Sequence, residues 1–286
     1  MVMKNVIACI SSPRRVQSIC DYAIWAVRRL GSELELLYVV EREQDAVPIA
    51  DLSGGIWMGA QETLLKELAE LDERRQQLAQ EQGRQLLQAA TERAREAGIQ
   101  GLAGLARQGY LVDVLLELED DARLFVMGQH DRPTKPSRLL PDQHLEAAVR
   151  ALHRPVLVAG PSFVTPTRFL VAFDGSATSR KTVEMVSRSP LLQGMQAHVL
   201  TAGSDAGEAR QALQWAREQL AQGGFDAITH HAAERPADAL AAYAGQYGID
   251  MLVMGAYGHS RIRQLVLGST TTEILSRVSL AVLILR

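Results

Sequence analysis

The sequence predicts an α/β protein built as two tandem copies of one domain, each a mostly parallel sheet covered by helices on both faces. Three observations lead there. The length, 286 residues, exceeds a single compact core of roughly 100–150 residues and suits two. Short apolar runs alternate with helical patterns along the chain, as expected for strands buried on both faces. Two runs also recur: Leu124-Phe125-Val126-Met127-Gly128 resembles Met251-Leu252-Val253-Met254-Gly255, and Arg154-Pro155-Val156-Leu157-Val158 resembles Leu280-Ala281-Val282-Leu283-Ile284. Repetition at that scale reads as duplication.

In the first copy the expected strands are Asn5 to Ile10, Leu34 to Val39, roughly Gly101 to Arg107, Arg123 to Gly128 and Pro155 to Ala159. Between the second and third, Gln61 to Ala97 is rich in Leu, Ala, Glu, Gln and Arg at helical spacing, which predicts a long helical insertion with a solvated charged face. The preceding Ala46 to Met58, with Pro48, Gly54, Gly55 and Trp57, reads as a loop. A proline-containing linker near Gly160 to Pro166 separates the copies, giving domains of residues 1–160 and 166–286.

In the second copy, Arg168 to Phe173 is a strand ended by Asp174-Gly175-Ser176, which turns the chain and caps a helix over Ala177 to Arg188. Strands follow at Gln196 to Ala202, Phe225 to His231, Asp250 to Gly255 and Leu280 to Leu285. Helices fall at Ala206 to Gln222, after Pro236, and over Thr271 to Arg277.

Composition narrows the class. With 47% apolar and 22% charged residues, disorder, collagen and a continuous coiled coil are excluded. A net charge of -3 offers no general attraction for nucleic acid or an anionic membrane, so an anion site must be local. Apolar runs are too short for a signal peptide or a membrane span, and Cys9 and Cys20 belong to no CxxC pair. Two buried thiols in a cytoplasmic protein are the expectation.

The segment Gly255 to Thr271 concentrates the chemistry. In an open parallel sheet, ligands bind beyond the carboxyl ends of the strands where strand order reverses, and Asp174 and Gly255 both end strands there if the first and fourth strands are neighbours. Glycines at 255 and 258 permit close backbone approach to a sugar or phosphate. The chain returns with Gly268-Ser269-Thr270-Thr271 opening a helix, whose free amides and the hydroxyls of Ser269 and Thr271 suit phosphate oxygens, with Arg261 and Arg263 available to add charge. A glycine turn and a helix cap account for Gly255 and Gly258 taken alone; the full spacing Gly255-x-x-Gly258-x9-Gly268-Ser269 is what points to a ligand. It is neither a Walker loop nor a dinucleotide GxGxxG turn.

On these residues, 168–286 resembles the universal stress protein family, and the whole chain resembles its tandem two-domain form. The resemblance implies a doubly wound, Rossmann-like (adenine nucleotide alpha hydrolase-like) domain with a five-stranded parallel sheet, and pairing of the last strands of two such domains. It implies ATP as ligand, with Mg²⁺ the usual companion of a nucleotide's phosphates. Carried over by position, Asp174 lies beside the adenosine, Ala202 lines the adenine pocket and Gly255 approaches the ribose, while Gly258, Gly268, Ser269, Thr270 and Thr271 serve the phosphates.

The first copy departs from this pattern. Ile10-Ser11-Ser12 stands where Asp174-Gly175-Ser176 stands, and Gln129-His130-Asp131-Arg132-Pro133 follows Gly128 with no second glycine and no later Gly-Ser. It is therefore expected to be a degenerate domain without an equivalent ATP site, a built-in partner with Val156 to Ala159 beside Val282 to Leu285.

The other candidates are weaker. His230 and His231 point to opposite faces of a strand, His130, His144 and His153 show no metal-ligand spacing, and Ser176 with His198 makes no nucleophile motif, so neither metal nor catalytic residues are expected. The leading function is ATP-binding regulation in a stress response. Slow ATP hydrolysis, for which no dedicated base is present, and a ligand-independent scaffold built on the long helix are the alternatives. A homodimer and an unnamed protein partner stay open.

Overall fold

A computed structural model describes residues 4–41, 58–128, 143–203, 206–255, 274 and 278–286. Strands β1 (Asn5–Cys9), β2 (Leu34–Glu41), β3 (Leu102–Gly109), β4 (Ala122–Gly128) and β5 (Val156–Ala159) form the first half. The second half repeats them as β6 (Arg168–Ala172), β7 (Gln196–Ala202), β8 (Ala227–Ala232), β9 (Met251–Gly255) and β10 (Ala281–Leu285). Most expected strands start or stop within two residues of these bounds, because each is an apolar run with clear punctuation.

The two expected sheets are joined into one. The order β3-β2-β1-β4-β5-β10-β9-β6-β7-β8 places two five-stranded units of identical internal order end to end. Every pairing is parallel except the junction, where β10 runs antiparallel to β5 with Val282 opposite Val158, Leu283 opposite Leu157 and Ile284 opposite Val156. This is the pairing expected of residues 156–159 and 282–285. All of these strand residues are buried, so the junction is apolar core.

Both faces are covered, and strand alternation assigns the core residues. Val6 and Ala8 of β1 face one core with Phe169 and Val171 of β6, beneath α1 (Val16–Leu30), α2 (Met58–Glu96), α5 (Ala177–Ser187) and α6 (Ala206–Gln222). Ile7 and Cys9 face the other with Leu170, beneath α3 (Leu111–Glu117), α4 (Gln143–Ala151) and α7 (Pro236–Tyr247). Each core runs across both halves. Polar ties add to this: Ser18 Oγ donates to the Gly160 carbonyl at 2.6 Å, Arg29 Nε to the Leu191 carbonyl at 3.0 Å, and Tyr22 meets Phe163 edge to face at 4.9 Å. Asp250 receives Thr167 N–H and Oγ1 (both 2.8 Å) and Arg168 N–H (3.0 Å), fixing the exit from the linker.

The long helix corrects one expectation. Rather than an insertion, α2 is the first half's version of α6: each follows the second strand of its half and leads to the third, but α2 has 39 residues and α6 has 17. Its C-terminal part packs on the sheet through buried Leu86, Ala90 and Ala94, with Arg93 paired to Asp21 at 2.6 Å. Residues 66–78 are all exposed, as the solvated charged face predicted. Of the helix expected over 271–277, Ile274 is described: it is helical and buried, and its carbonyl accepts from Val278 N–H at 2.9 Å.

Candidate functional site

The second half's crevice begins where β6 runs out. Phe173 N–H still bonds the Leu200 carbonyl (3.0 Å), after which the chain turns. Asp174 Oδ1 accepts from Ser176 N–H (3.0 Å), Gly175 takes φ +74°, and Ser176 Oγ accepts from Ser179 N–H (3.2 Å) to cap α5. From outside, Arg180 Nε donates to the Gly175 carbonyl (3.0 Å) while its guanidinium lies 4.5 Å over the Trp215 ring, which stacks on Phe173. The loop is thus held on both sides and leaves the Asp174 carboxylate exposed, with Oδ2 free of partners among the described residues.

The neighbouring strand ends bring two more expected residues to this place. β6 lies between β9 and β7, at the reversal of strand order. Val171 pairs with Val253 and Ala172 with Leu200, so, counted onward, Ala202 comes level with Asp174 and Gly255 with Phe173. Adjacent strands lie about 4.8 Å apart, so Asp174, Ala202 and Gly255 share one edge.

Gly255 has a packing role that the sequence did not signal. A Cβ there would stand 2.7 Å from Thr182 Oγ1 and 3.0 Å from Thr178 Cγ2, so the missing side chain lets α5 lie against the strand end. Thr182 Oγ1 is itself engaged, donating to the Thr178 carbonyl at 3.0 Å. The i, i+4 spacing of these threonines on α5 was the available clue; nothing in the chain tied them to a glycine more than 70 residues away. The Arg180–Trp215–Phe173 clamp was equally invisible. Gly258, Gly268, Ser269, Thr270 and Thr271, with Arg261 and Arg263, lie outside the described residues.

The first half can be superposed residue by residue through the same registers. Ile10 N–H bonds the Leu37 carbonyl at 2.7 Å as Phe173 N–H bonds Leu200. Ser11, not Ile10, therefore takes the place of Asp174, a one-residue correction that leaves the carboxylate missing. Val39 takes the place of Ala202 and Gly128 that of Gly255. A Cβ on Gly128 would meet Ile19 and Arg15, which stand where Thr182 and Thr178 stand.

The described histidines are held in structural contacts, His230 against the Tyr243 ring among them, and His130 and His259 lie outside the described residues. His198 is 3% exposed, with Nδ1 3.0 Å from the Tyr243 hydroxyl, and burial, helped by the charge of Arg168, lowers its pKa. His231 Nε2 bonds the Gly203 carbonyl at 2.7 Å, and His153 and His144 pair with Glu119 and Glu41. Among the described residues no three His, Cys, Asp or Glu side chains are grouped to hold a metal ion. Burial pushes both Cys9 and Cys20 up to about 12, with Asp21 adding to the rise at Cys20, so both thiols are neutral near pH 7 and inert as nucleophiles.

Among the described residues no helix is long and apolar enough to cross a membrane. Residues 188–286 match the model of the universal stress protein family. A universal stress protein from Synechocystis sp. is 33% identical over 99% of this chain and 100% of its own length. Among solved structures, a universal stress protein from Archaeoglobus fulgidus superposes with a TM-score of 0.71 at 17% identity, covering 99% of this chain and 96% of that one. A protein from Pseudomonas aeruginosa, described as a putative universal stress protein, does so with a TM-score of 0.54 at 17% identity over 99% and 93%. These two share the fold, and the full-length identity to the Synechocystis relative goes further: the chain belongs to the universal stress protein family.

Proposed function

We propose that this protein binds one adenine nucleotide, ATP with Mg²⁺, in the second half, and acts as a cytoplasmic regulator in a stress response. The observation that carries the reading is that Gly255, the first residue of the Gly255-x-x-Gly258-x9-Gly268-Ser269 sequence, ends its strand beside an exposed, preorganised Asp174 carboxylate at the reversal of strand order. In this reading Asp174 accepts from the ribose hydroxyls or approaches the metal, Ala202 leaves room for the base and Gly255 starts the backbone that follows the sugar. Gly258, Gly268, Ser269, Thr270 and Thr271 then meet phosphate oxygens through amides and hydroxyls. Mg²⁺ would neutralise phosphate charge, and a carboxylate and hydroxyls are oxygen donors of the kind it takes. Micromolar affinity requires about 8 kcal/mol of net binding free energy, within reach of a buried base and several phosphate contacts.

Equilibrium titration of ATP into the full chain tests this with Gly258→Val and Gly268→Val. The expected outcome is a loss of at least about tenfold in affinity in each variant, equivalent to about 1.4 kcal/mol. Equal binding by wild type and both variants would remove the site.

One observation favours a second role in addition. The all-exposed stretch 66–78 of α2 carries Leu68, Leu71 and Leu78, the last 71% exposed, a surface on which a protein partner or a second copy could dock independently of nucleotide.

A further inference from the structure

The Asp174 carboxylate is held through a single peptide unit. The peptide between Gly175 and Ser176 is trans, so its carbonyl and its N–H point in opposite directions within one plane. The N–H, on Ser176, donates to Asp174 Oδ1 at 3.0 Å, and the carbonyl, on Gly175, accepts from Arg180 Nε at 3.0 Å. Arg180 therefore fixes the peptide that fixes the carboxylate. A guanidinium is a charged donor, and polarising the carbonyl strengthens the hydrogen bond that the same peptide gives on its other side. Oδ1 is occupied in this way, and Oδ2 is left for a ligand.

Arg180 is itself held by an aromatic pair. Its guanidinium carbon lies 4.5 Å from the Trp215 ring centroid, and that ring stacks on Phe173 with centroids 6.1 Å apart and planes 13° from parallel. Phe173 is buried and directly precedes Asp174. Contacts thus run in a closed circuit from Phe173 through Trp215, Arg180 and the Gly175–Ser176 peptide back to Asp174.

The first half lacks this circuit. With Ser11 in the place of Asp174 and Arg15 in that of Thr178, Pro13 stands where Ser176 stands and Gln17 where Arg180 stands. Proline has no N–H to give, Ile10 replaces Phe173, and Gln17 is exposed. The carboxylate, the N–H that holds it and the cation behind that peptide are present together in one half and absent together from the other.

We infer that Arg180 is a positioning residue for the nucleotide site: acting through the Gly175–Ser176 peptide and steadied by Trp215, it holds the Asp174 carboxylate in the orientation that meets the ligand. The inference rests on the nucleotide reading above and adds to it a residue that acts without touching the nucleotide.

Two neutral substitutions of equal length separate the hydrogen bond from charge and packing. In Arg180→Gln, Nε2 follows Cδ as Arg180 Nε does, so a donor is kept, whereas in Arg180→Met a methyl takes that place. Titration of ATP with Mg²⁺ into the full chain should find Arg180→Gln within about twofold of wild type and Arg180→Met about fivefold weaker than Arg180→Gln, the worth of one hydrogen bond. Circular dichroism verifies both folds. Wild-type affinity in Arg180→Met would overturn the inference, and so would equal weakening in the two variants, which is the result of a lost charge or lost packing. Should Arg180→Met not fold, Arg180→Ala takes its place with the same expectation. Absence of ATP binding by wild type would remove the nucleotide reading together with the inference; binding that Arg180→Met leaves unchanged removes the inference alone.

Discussion

The two halves share strand order, register and even the glycine that admits the helix after the first strand, yet they differ at the residue that ends that strand. Asp174 presents an exposed carboxylate held by Ser176 N–H, whereas Ser11 presents a hydroxyl buried without a partner. The scaffold is common and the chemistry at its edge is not. Function in this architecture lives in the residues just beyond the strands, where a substitution costs the core nothing.

The sharing has an energetic consequence that breaks cleanly if wrong. Because β5 and β10 pair and both cores run through the junction, the halves should unfold together. Phe169→Ala, in a site that is fully buried, should cost about 3–5 kcal/mol and Leu157→Ala, at the junction, about 2–5 kcal/mol. In calorimetry both should lower a single transition; two transitions, only one of them moved by each substitution, would show independent domains.

A smaller effect compares the two strand-end glycines. Gly255→Ala drives a methyl to within 2.7 Å of Thr182 Oγ1 and 3.0 Å of Thr178 Cγ2, both on short β-branched side chains, and should cost about 1–3 kcal/mol. Gly128→Ala meets the Ile19 Cδ1 at 2.9 Å, the far end of a side chain that can turn away, and should cost less. Chemical denaturation of the pair checks the ordering, and a larger loss at Gly128 would mean that the halves pack differently from this description.

The smallest effects are in pH. His198 is held neutral by burial, so its folded-state pKa lies below the unfolded value of roughly 6.5. Above that value it contributes nothing to the pH dependence; as pH falls through it, the unfolded chain gains a proton that the folded one resists, and stability declines. Asp250 acts in the same direction for a different reason. Burial raises its pKa, but the hydrogen bonds from Thr167 and Arg168 and the charge of Arg168 outweigh this and hold it low, so its contribution is present above the ordinary carboxylate range and fades as pH drops through it. Denaturation midpoints should fall in two stages, the first setting in as pH drops below roughly 6.5 for His198 and the second as it drops below roughly 3.9 for Asp250. His198→Gln should flatten the first stage and Asp250→Asn the second.

How legible this was depended on the range of the interaction. The strands could be read because apolar runs and their bounding turns are local, as in Gln196 to Ala202 and Ala206 to Gln222, where expectation and structure coincide. The carboxylate at Asp174 and its absence from the first half were legible because two copies could be compared. Contacts across sequence distance were not. Thr182 beneath Gly255, Trp215 beneath Arg180 and the kinship of α2 with α6 all follow from tertiary packing, and a one-residue slip between Ile10 and Ser11 could be resolved only by the bond to Leu37. The Gly258 to Thr271 residues remain a reading from sequence spacing, outside the described residues.

The asymmetry between the halves is the central claim, and nucleotide stoichiometry tests it most directly. Native mass spectrometry of the full chain with saturating ATP and Mg²⁺ should show one nucleotide per chain in wild type. Occupancy should fall sharply in Asp174→Ala and Gly268→Val. Two nucleotides per chain, or one that persists undiminished through Asp174→Ala and Gly268→Val, would contradict the account.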